Sequence, residues 1–314
     1  MKYVVNTCTE PQWNMAHDEF LLEGLTETVF CLWQNRPSVI VGLNQNPYAE
    51  VDVKYLETNN ITLARRVTGG GAVYHDLGNL NYSIAGPIAA MEDKFSLMAR
   101  TLQQLGVPAE LSGRNDILVH GRKCSGYAKR LSKNRMMIHG TLMWDVDLQT
   151  LTRALTVPGS KLDAKGIASV RSRVANLKEY LPQYQSVAQF RQALQGLLAD
   201  GCPEVQIAPE QRAGIDQVAD QKFRTWEWNW GHSPQASFRN SQKFPCGTVQ
   251  VDYTLKNGVF EHLIFGGDFL GNKAAKELEE KLIGQRPEAV LAVPAEDYFD
   301  GLSASELYTL FFNA

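Results

Sequence analysis

The sequence predicts an α+β protein built as one large domain followed by a small one. Its 314 residues exceed the usual size of a single core. Stretches with helical spacing are interspersed with short apolar runs of strand type. Near residue 230 an aromatic cluster gives way to small and turn-forming residues. The boundary is placed there, giving domains 1–232 and 233–314, the second itself a small α+β unit.

From Pro11 to Gly24, Trp13, Ala16, Phe20 and Leu21 recur at helical spacing and Gly24 supplies a stop, so a core helix is expected. Val29 to Gln34 and, after Pro37, Ser38 to Gly42 are short apolar runs and read as adjacent strands. Ile61, Leu63 and Ala64, then Leu80, Tyr82 and Ile84, place further strands on either side of residues 65–79. Asp93 reads as the N-cap of a helix from Lys94 to Leu105, with Phe95, Met98, Leu102 and Leu105 on one stripe and Gly106 closing it. Residues 115–147 turn β-like again: Ile117-Leu118-Val119, a Gly-Arg-Lys turn expected at the open edge of the sheet, then a buried strand from Met136 to Leu142. Ser186 caps an amphipathic helix from Val187 to Ala199. In the small domain Val249, Val251 and Tyr253 alternate towards Asn257-Gly258, and Val259, His262 and Ile264 leave it, a hairpin signal. Lys273 to Ile283 reads as a helix, and Ser303 with Glu306 forms a capping-box pattern before Leu307 to Phe312.

Composition excludes several classes. Hydrophobic residues at 44% and charged residues at 21% describe an ordinary soluble globular chain, and a net charge of −3 argues against a nucleic-acid surface. Cys8, Cys31, Cys124, Cys202 and Cys246 are odd in number and widely spread, with no C-x-x-C pair, so neither a disulfide frame nor a structural zinc site is expected. No apolar run approaches the length of a membrane span, and the first residues turn polar before a signal sequence could form. A cytoplasmic location fits best.

The chemistry gathers in residues 65–79. Gly69, Gly70 and Gly71 follow Arg65 and Arg66 and precede Tyr74-His75-Asp76. Glycine lacks Cβ, so successive N–H groups can converge on an anion while the arginines neutralise it. The same letters suit a surface hairpin turn; the strand-like flanks, which would hold the loop on a sheet, favour the anion site. Trp33 by composition alone is a core residue. Residues 161–173 are polar, aperiodic and carry Lys165, Arg171 and Arg173. They read as a solvated connection or as a loop that orders over a ligand. The six histidines are scattered and form no H-E-x-x-H, so His75 and His139 are not read as metal ligands.

Arg-Arg-x-Thr-Gly-Gly-Gly-Ala-Val-x-His-Asp-x-Gly-Asn over 65–79 closely resembles the signature of lipoate–protein ligases, in the superfamily shared with biotin ligases and octanoyltransferases. Three blocks follow the family order: Leu32-Trp33-Gln34-Asn35 with 42–47, Asn115-Asp116 with 121–126, and residues 165–174. Trp226-Glu227-Trp228-Asn229 resembles the family's domain junction. The resemblance covers nearly the whole chain. It implies a biotin/lipoyl ligase-like large domain with a mixed sheet and flanking helices. It also implies an ATP-dependent ligase that converts lipoate, or octanoate, to an acyl-AMP and passes the acyl group to a lysine of a lipoyl domain. The acceptors implied are acyltransferase subunits of 2-oxo acid dehydrogenases and the glycine-cleavage H protein.

Such a reaction brings two anions together, so its site must neutralise charge, align the partners and exclude water. By resemblance, Lys123 reaches both the acyl carbonyl oxygen and the α-phosphate and is the catalytic residue. Arg66, Asp116 and backbone N–H groups of Gly71, Ala72, Val73 and Tyr74 are expected to bind ATP, Asp116 through Mg²⁺. Trp33, Thr68, Gly71, His75 and His139, with Lys123, are expected to line the lipoate pocket; Thr68 keeps the hydroxyl of the serine found in some relatives.

Two rivals remain open. Cys124 beside Lys123 permits a thioester acyltransferase without ATP, since a cation lowers a thiol pKa. A noncatalytic protein that binds lipoate or lipoyl domains would keep the pocket and lose the adenylation groups.

Overall fold

The computed structural model describes residues 1–113, 115–155 and 173–312, in two compact units. One unit comprises Met1–Leu43, Ile61–Thr152 and the described residues from 173 through Thr225. The other comprises Asn44–Asn60, residues 153–155 and the described residues from Trp226 onward.

In the first unit, β1 (Lys2–Val5), β2 (Val29–Trp33), β3 (Ser38–Val41), β4 (Thr62–Arg65), β5 (Val73–His75), β6 (Asn79–Pro87), β7 (Ala109–Ser112), β8 (Asp116–Val119), β9 (Arg122–Ser132), β10 (Arg135–Met143) and β11 (Glu204–Val205) form two sheets. Eight strands take the order β11-β1-β2-β6-β10-β9-β8-β7, and three take the order β4-β3-β5. Both sheets are mixed: β1 runs parallel to β2, while β2, β6, β10 and β9 are antiparallel neighbours. Every residue of β2 is buried, as is all of β6 except Pro87, because both faces of the central strands are covered. Phe30, Leu32, Tyr82, Ile84 and Ile138 share one core with Leu102 of the helix Leu97–Gln104 and with Phe190 and Leu194 of the helix Val187–Leu198. Helix α1 (Pro11–Glu23) contacts β6 and β10 of the large sheet and β4 of the small one.

Three local expectations are corrected. β2 and β3 lie in different sheets: β1 and β6 already occupy both edges of β2, so β3 pairs instead with β4 in parallel and β5 in antiparallel. Asp93 caps no helix. It sits in the 3-10 turn Glu92–Ser96 with its carboxylate 2.9 Å from Lys94 Nζ, and the α-helix starts at Leu97. The turn expected at Gly-Arg-Lys is formed by His120 and Gly121, with φ of 49° and 75°, so Arg122 and Lys123 already belong to β9. That hairpin is not at the sheet edge, since β7 pairs beyond β8.

In the second unit, β12 (Ala236–Phe244), β13 (Gly247–Lys256) and β14 (Val259–Gly267) form an antiparallel meander. Asn257 and Gly258 turn with φ of 52° and 73°, the left-handed pair a two-residue hairpin needs. Tyr253 and Phe260 pack edge to face, and both meet Phe311 of the helix Ala304–Phe312. The capping box closes as read: Ser303 N–H donates to Glu306 Oε2 at 2.9 Å and Glu306 N–H to Ser303 Oγ at 3.3 Å.

Candidate active site

A cavity of about 170 Å³ lies in the first unit, walled by the glycine loop and by β2, β6, β9 and β10. Trp33 is the register partner of Asn81, and Asn81 of Thr141, so three neighbouring strands present these side chains on one face. Of the residues singled out in the sequence, Trp33, Arg66, Gly71, Ala72, Val73, His75, Lys123 and His139 all line this cavity. Tyr74 alternates away from it along β5 and is buried. Thr68 and Asp116 reach it through His139 and Lys123, as the distances below show.

The glycine loop is organised from inside by Arg66. Its Nη2 donates to Gly69 O and Gly71 O, both at 2.8 Å, its Nη1 to Ile40 O at 3.0 Å and its Nε to Thr68 Oγ1 at 3.0 Å. Burial lowers its pKa to about 10, so it carries a full positive charge at neutral pH beside the cavity. Arg65 is also fully buried and donates from Nη1 to Gly42 O and Leu43 O, at 2.9 and 3.1 Å. Gly42 must be glycine here, because a Cβ would lie 2.1 Å from Gly70 O.

A hydrogen-bonded chain runs beneath the loop. Thr68 Oγ1 lies 2.7 Å from His139 Nε2, and His139 Nδ1 lies 2.7 Å from Asp18 Oδ2. Ser83 donates its hydroxyl to Asp18 Oδ1 at 2.5 Å and accepts from Trp33 Nε1 at 2.9 Å. Asp18 is thus a buried carboxylate whose two oxygens are both partnered, as a buried charge requires. Through it Trp33, His139 and Thr68 are locked in one arrangement. His75 stands apart from that chain: burial, with the charges of Arg66 and His139 as lesser causes, lowers its pKa to about 3, so its ring is neutral.

On the opposite wall Lys123 Nζ is 2.8 Å from Asp116 Oδ1, and both side chains are partly open to solvent. A bulge in the β8–β9 ladder between Ile117 and Leu118 lets Lys123 pair with Leu118 and Ser125 with Ile117. Cys124 is the extra residue and is fully buried, with Sγ 3.4 Å from Ile117 O. Burial pushes its thiol up to about 12, so the neighbouring lysine does not generate the thiolate that a thioester route needs. Gly126 makes room for the lysine; a Cβ there would stand 3.0 Å from Lys123 Nζ.

Asp18 and the cavity-lining Asn81 and Tyr127 do not stand out in the sequence. Asp18 is one acidic letter in an amphipathic helix, and Asn81 one polar letter in an apolar strand. The polar letter within Leu80-Asn81-Tyr82 is the one local signal for Asn81. Lys165 and Arg171 lie outside the described residues, and Arg173 is exposed.

Residues 10–198 match the model of the lipoyl protein ligase A/B catalytic domain, and 233–311 that of the bacterial lipoate protein ligase C-terminus. The chain is 39% identical to lipoate–protein ligase 1 of Staphylococcus aureus, with 99% of each chain covered. It is 36% identical to lipoate-protein ligase LplJ of Bacillus subtilis, with 96% of this chain and 97% of that one covered. Among solved structures, the bipartite lipoate protein ligase of Thermoplasma acidophilum, from a structural analysis of an archaeal lipoylation system that also covers its E2 lipoyl domain, superposes with a TM-score of 0.67. It is 29% identical, covering 74% of this chain and 96% of that one. A lipoate-protein ligase A bound with ATP gives 0.64 at 28% identity, over 74% and 98%. With its catalytic and C-terminal regions both matched, the chain belongs to the lipoate–protein ligase family.

Proposed function

We propose that the chain is an ATP-dependent lipoate–protein ligase that forms lipoyl-AMP and transfers the lipoyl group to a lysine of a lipoyl domain. What supports this is the meeting of Lys123, Arg66 and the glycine loop in one cavity whose far wall is Trp33. Joining a carboxylic acid to an amine in water is uphill, so the carboxylate first attacks the α-phosphorus of ATP and pyrophosphate leaves. The acceptor amine then attacks the acyl carbonyl carbon, and AMP leaves with its electron pair on the phosphate oxygen. Lys123, steered by Asp116, offsets charge on the reacting oxygens in both steps; one such preorganised donor is typically worth about 3 to 4 kcal/mol of barrier. Arg66 acts through its charge and through the loop it holds, whose N–H groups from Gly71 to Tyr74 are the assigned phosphate cradle.

Mg²⁺ fits as the companion of ATP, since it takes one or two carboxylates and completes its shell with phosphate oxygens and water. Asp116 is the carboxylate assigned to it, with one oxygen on Lys123 and the other for the ion. The acyl chain lies against Trp33, with Thr68, His75 and His139 around it. The assigned acceptors are 2-oxo acid dehydrogenase acyltransferase subunits and the glycine-cleavage H protein. Residues 1–232 are the proposed catalytic domain and 233–314 the accessory one. No helix among the described residues is long and apolar enough to cross a membrane; the cytoplasm, where lipoyl domains and ATP meet, is the proposed location. Mixing the protein with ATP, Mg²⁺, lipoate and an apo lipoyl domain and weighing the domain by mass spectrometry tests this. One added lipoyl group that requires ATP is expected. Acylation from an acyl-carrier thioester in its place would establish the transferase instead.

A further inference from the structure

We propose that Asn35, held in turn by Asn14 and Asn6, is a positioning residue that keeps His75 in the Nε2–H form, aimed as a hydrogen-bond donor at a lone pair of the acyl substrate. This rests on the reading of the cavity as the acyl site, and it adds a polar requirement beside Trp33, Ile40 and Met15, the apolar part of its lining.

The argument for the tautomer starts from the backbone, where donor and acceptor are not in question. Cys8 N–H donates to Asn6 Oδ1 at 2.8 Å, which makes the other atom of that amide, Nδ2, the donor to Asn14 Oδ1 at 2.9 Å. Asn14 Nδ2 faces two carbonyl oxygens, Cys8 O at 3.1 Å and Gln34 O at 2.9 Å, and so fixes its own orientation a second time. The same Nδ2, its two protons shared among three oxygens, is 2.8 Å from Asn35 Oδ1; turning the Asn35 amide over would set two NH2 groups face to face, so Asn35 Nδ2 is the atom 3.1 Å from His75 Nδ1. An amide nitrogen can only donate, so Nδ1 must hold its lone pair and the single proton of the neutral ring sits on Nε2. All four side chains are buried, so water does not relax the chain of constraints.

Nε2 is then a buried N–H with no hydrogen-bond partner among the described residues. His75 lines the cavity, its ring 6.3 Å from that of Trp33. Asn81, the register partner of Trp33, brings a second unpartnered buried donor, Nδ2, to the same cavity. An unsatisfied buried donor costs about 1–3 kcal/mol, and two of them beside one tryptophan mark where a ligand must supply lone pairs. On an acyl substrate these are carboxyl oxygens or ring sulfurs; octanoate has only the first and lipoate has both.

The full chain with ¹⁵N-labelled histidine, without ATP, tests this by long-range ¹H–¹⁵N spectra, with His75 assigned from its loss in His75→Phe. A proton on Nε2 of the wild-type ring is expected; a proton on Nδ1 overturns the proposal. Asn35→Asp offers the ring only acceptors, so Nδ1 should gain a proton, and an unchanged spectrum would refute the relay. In His75→Phe, which keeps a ring and removes the donor, lipoate affinity should fall roughly tenfold, as loss of one buried hydrogen bond implies. An equal loss for octanoate identifies a carboxyl oxygen as the acceptor and a loss confined to lipoate identifies a sulfur, while undiminished affinity for both defeats the ligand half. Pyrophosphate release with ATP, measured separately, tells failure of the ligase reading from failure of this one.

Discussion

Lys123 and Cys124 are neighbours in sequence and opposites in environment. The bulge in the β8–β9 ladder turns the lysine towards the cavity and Asp116 and leaves the cysteine in the core. A thiol pushed up to about 12 is protonated at pH 7, whatever cation adjoins it in the chain. Cys124→Ala is therefore expected to keep ATP-dependent pyrophosphate release close to that of the parent, and complete loss in a folded variant would restore the thioester route. Lys123→Ala should lower kcat for the same release by about 10² to 10³, the usual cost of removing one preorganised donor. Thermal melts of the two variants separate chemistry from folding: Lys123 is partly exposed and its truncation leaves no core cavity, so its Tm should hold while its rate collapses.

At the scale of elements, the glycine loop depends on close backbone approach. A Cβ at Gly42, at the end of β3, would lie 2.1 Å from Gly70 O, and a backbone oxygen cannot swing aside as a side chain can. Gly42→Ala should displace the loop that Arg66 pins, lowering lipoate affinity by more than roughly tenfold, as calorimetric titration would register. Gly214 is the contrast: it lies in the helix Pro209–Val218, exposed, and a Cβ there meets nothing within 4 Å. Gly214→Ala should stabilise the protein by about 0.5–1 kcal/mol, read from urea unfolding. Elements whose signal is local were legible in the sequence: α1 with its Gly24 stop, the Asn257-Gly258 hairpin and the Ser303–Glu306 capping box. Partnership between strands is not local. β2 and β3 look alike as apolar runs, and only the occupation of both edges of β2 sends β3 to another sheet. The site divides the same way: Arg66, the glycines, Lys123 and His75 stand out as a motif, whereas Asp18 acquires meaning only from Ser83 and His139, and Asn81 from Trp33, partners distant in the chain.

At the scale of the whole molecule, buried neutral histidines couple folding to acidity. His17 is fully enclosed in α1 against Trp13, and burial lowers its pKa to about 4; His75 falls to about 3 for the same first reason. In the unfolded chain both titrate near 6.5. Because the folded values are depressed, the unfolded state binds the extra protons below pH 6.5. Their contribution to stability is therefore complete above that value and is lost as pH falls, down to about 4 for His17 and about 3 for His75. Within the window the loss is about 1.4 kcal/mol per pH unit for each histidine. Asp76 works in the other direction, since burial raises its carboxyl, so the sum over all groups does not isolate the histidines. A difference between two proteins does. Between pH 7 and pH 5 the parent should lose about 2 kcal/mol more unfolding free energy than His17→Gln, whose side chain takes up no proton. Urea unfolding at the two pH values measures it. Parallel losses in the two proteins would mean that folded and unfolded chains take up the His17 proton over the same pH range, so that burial does not hold this ring neutral.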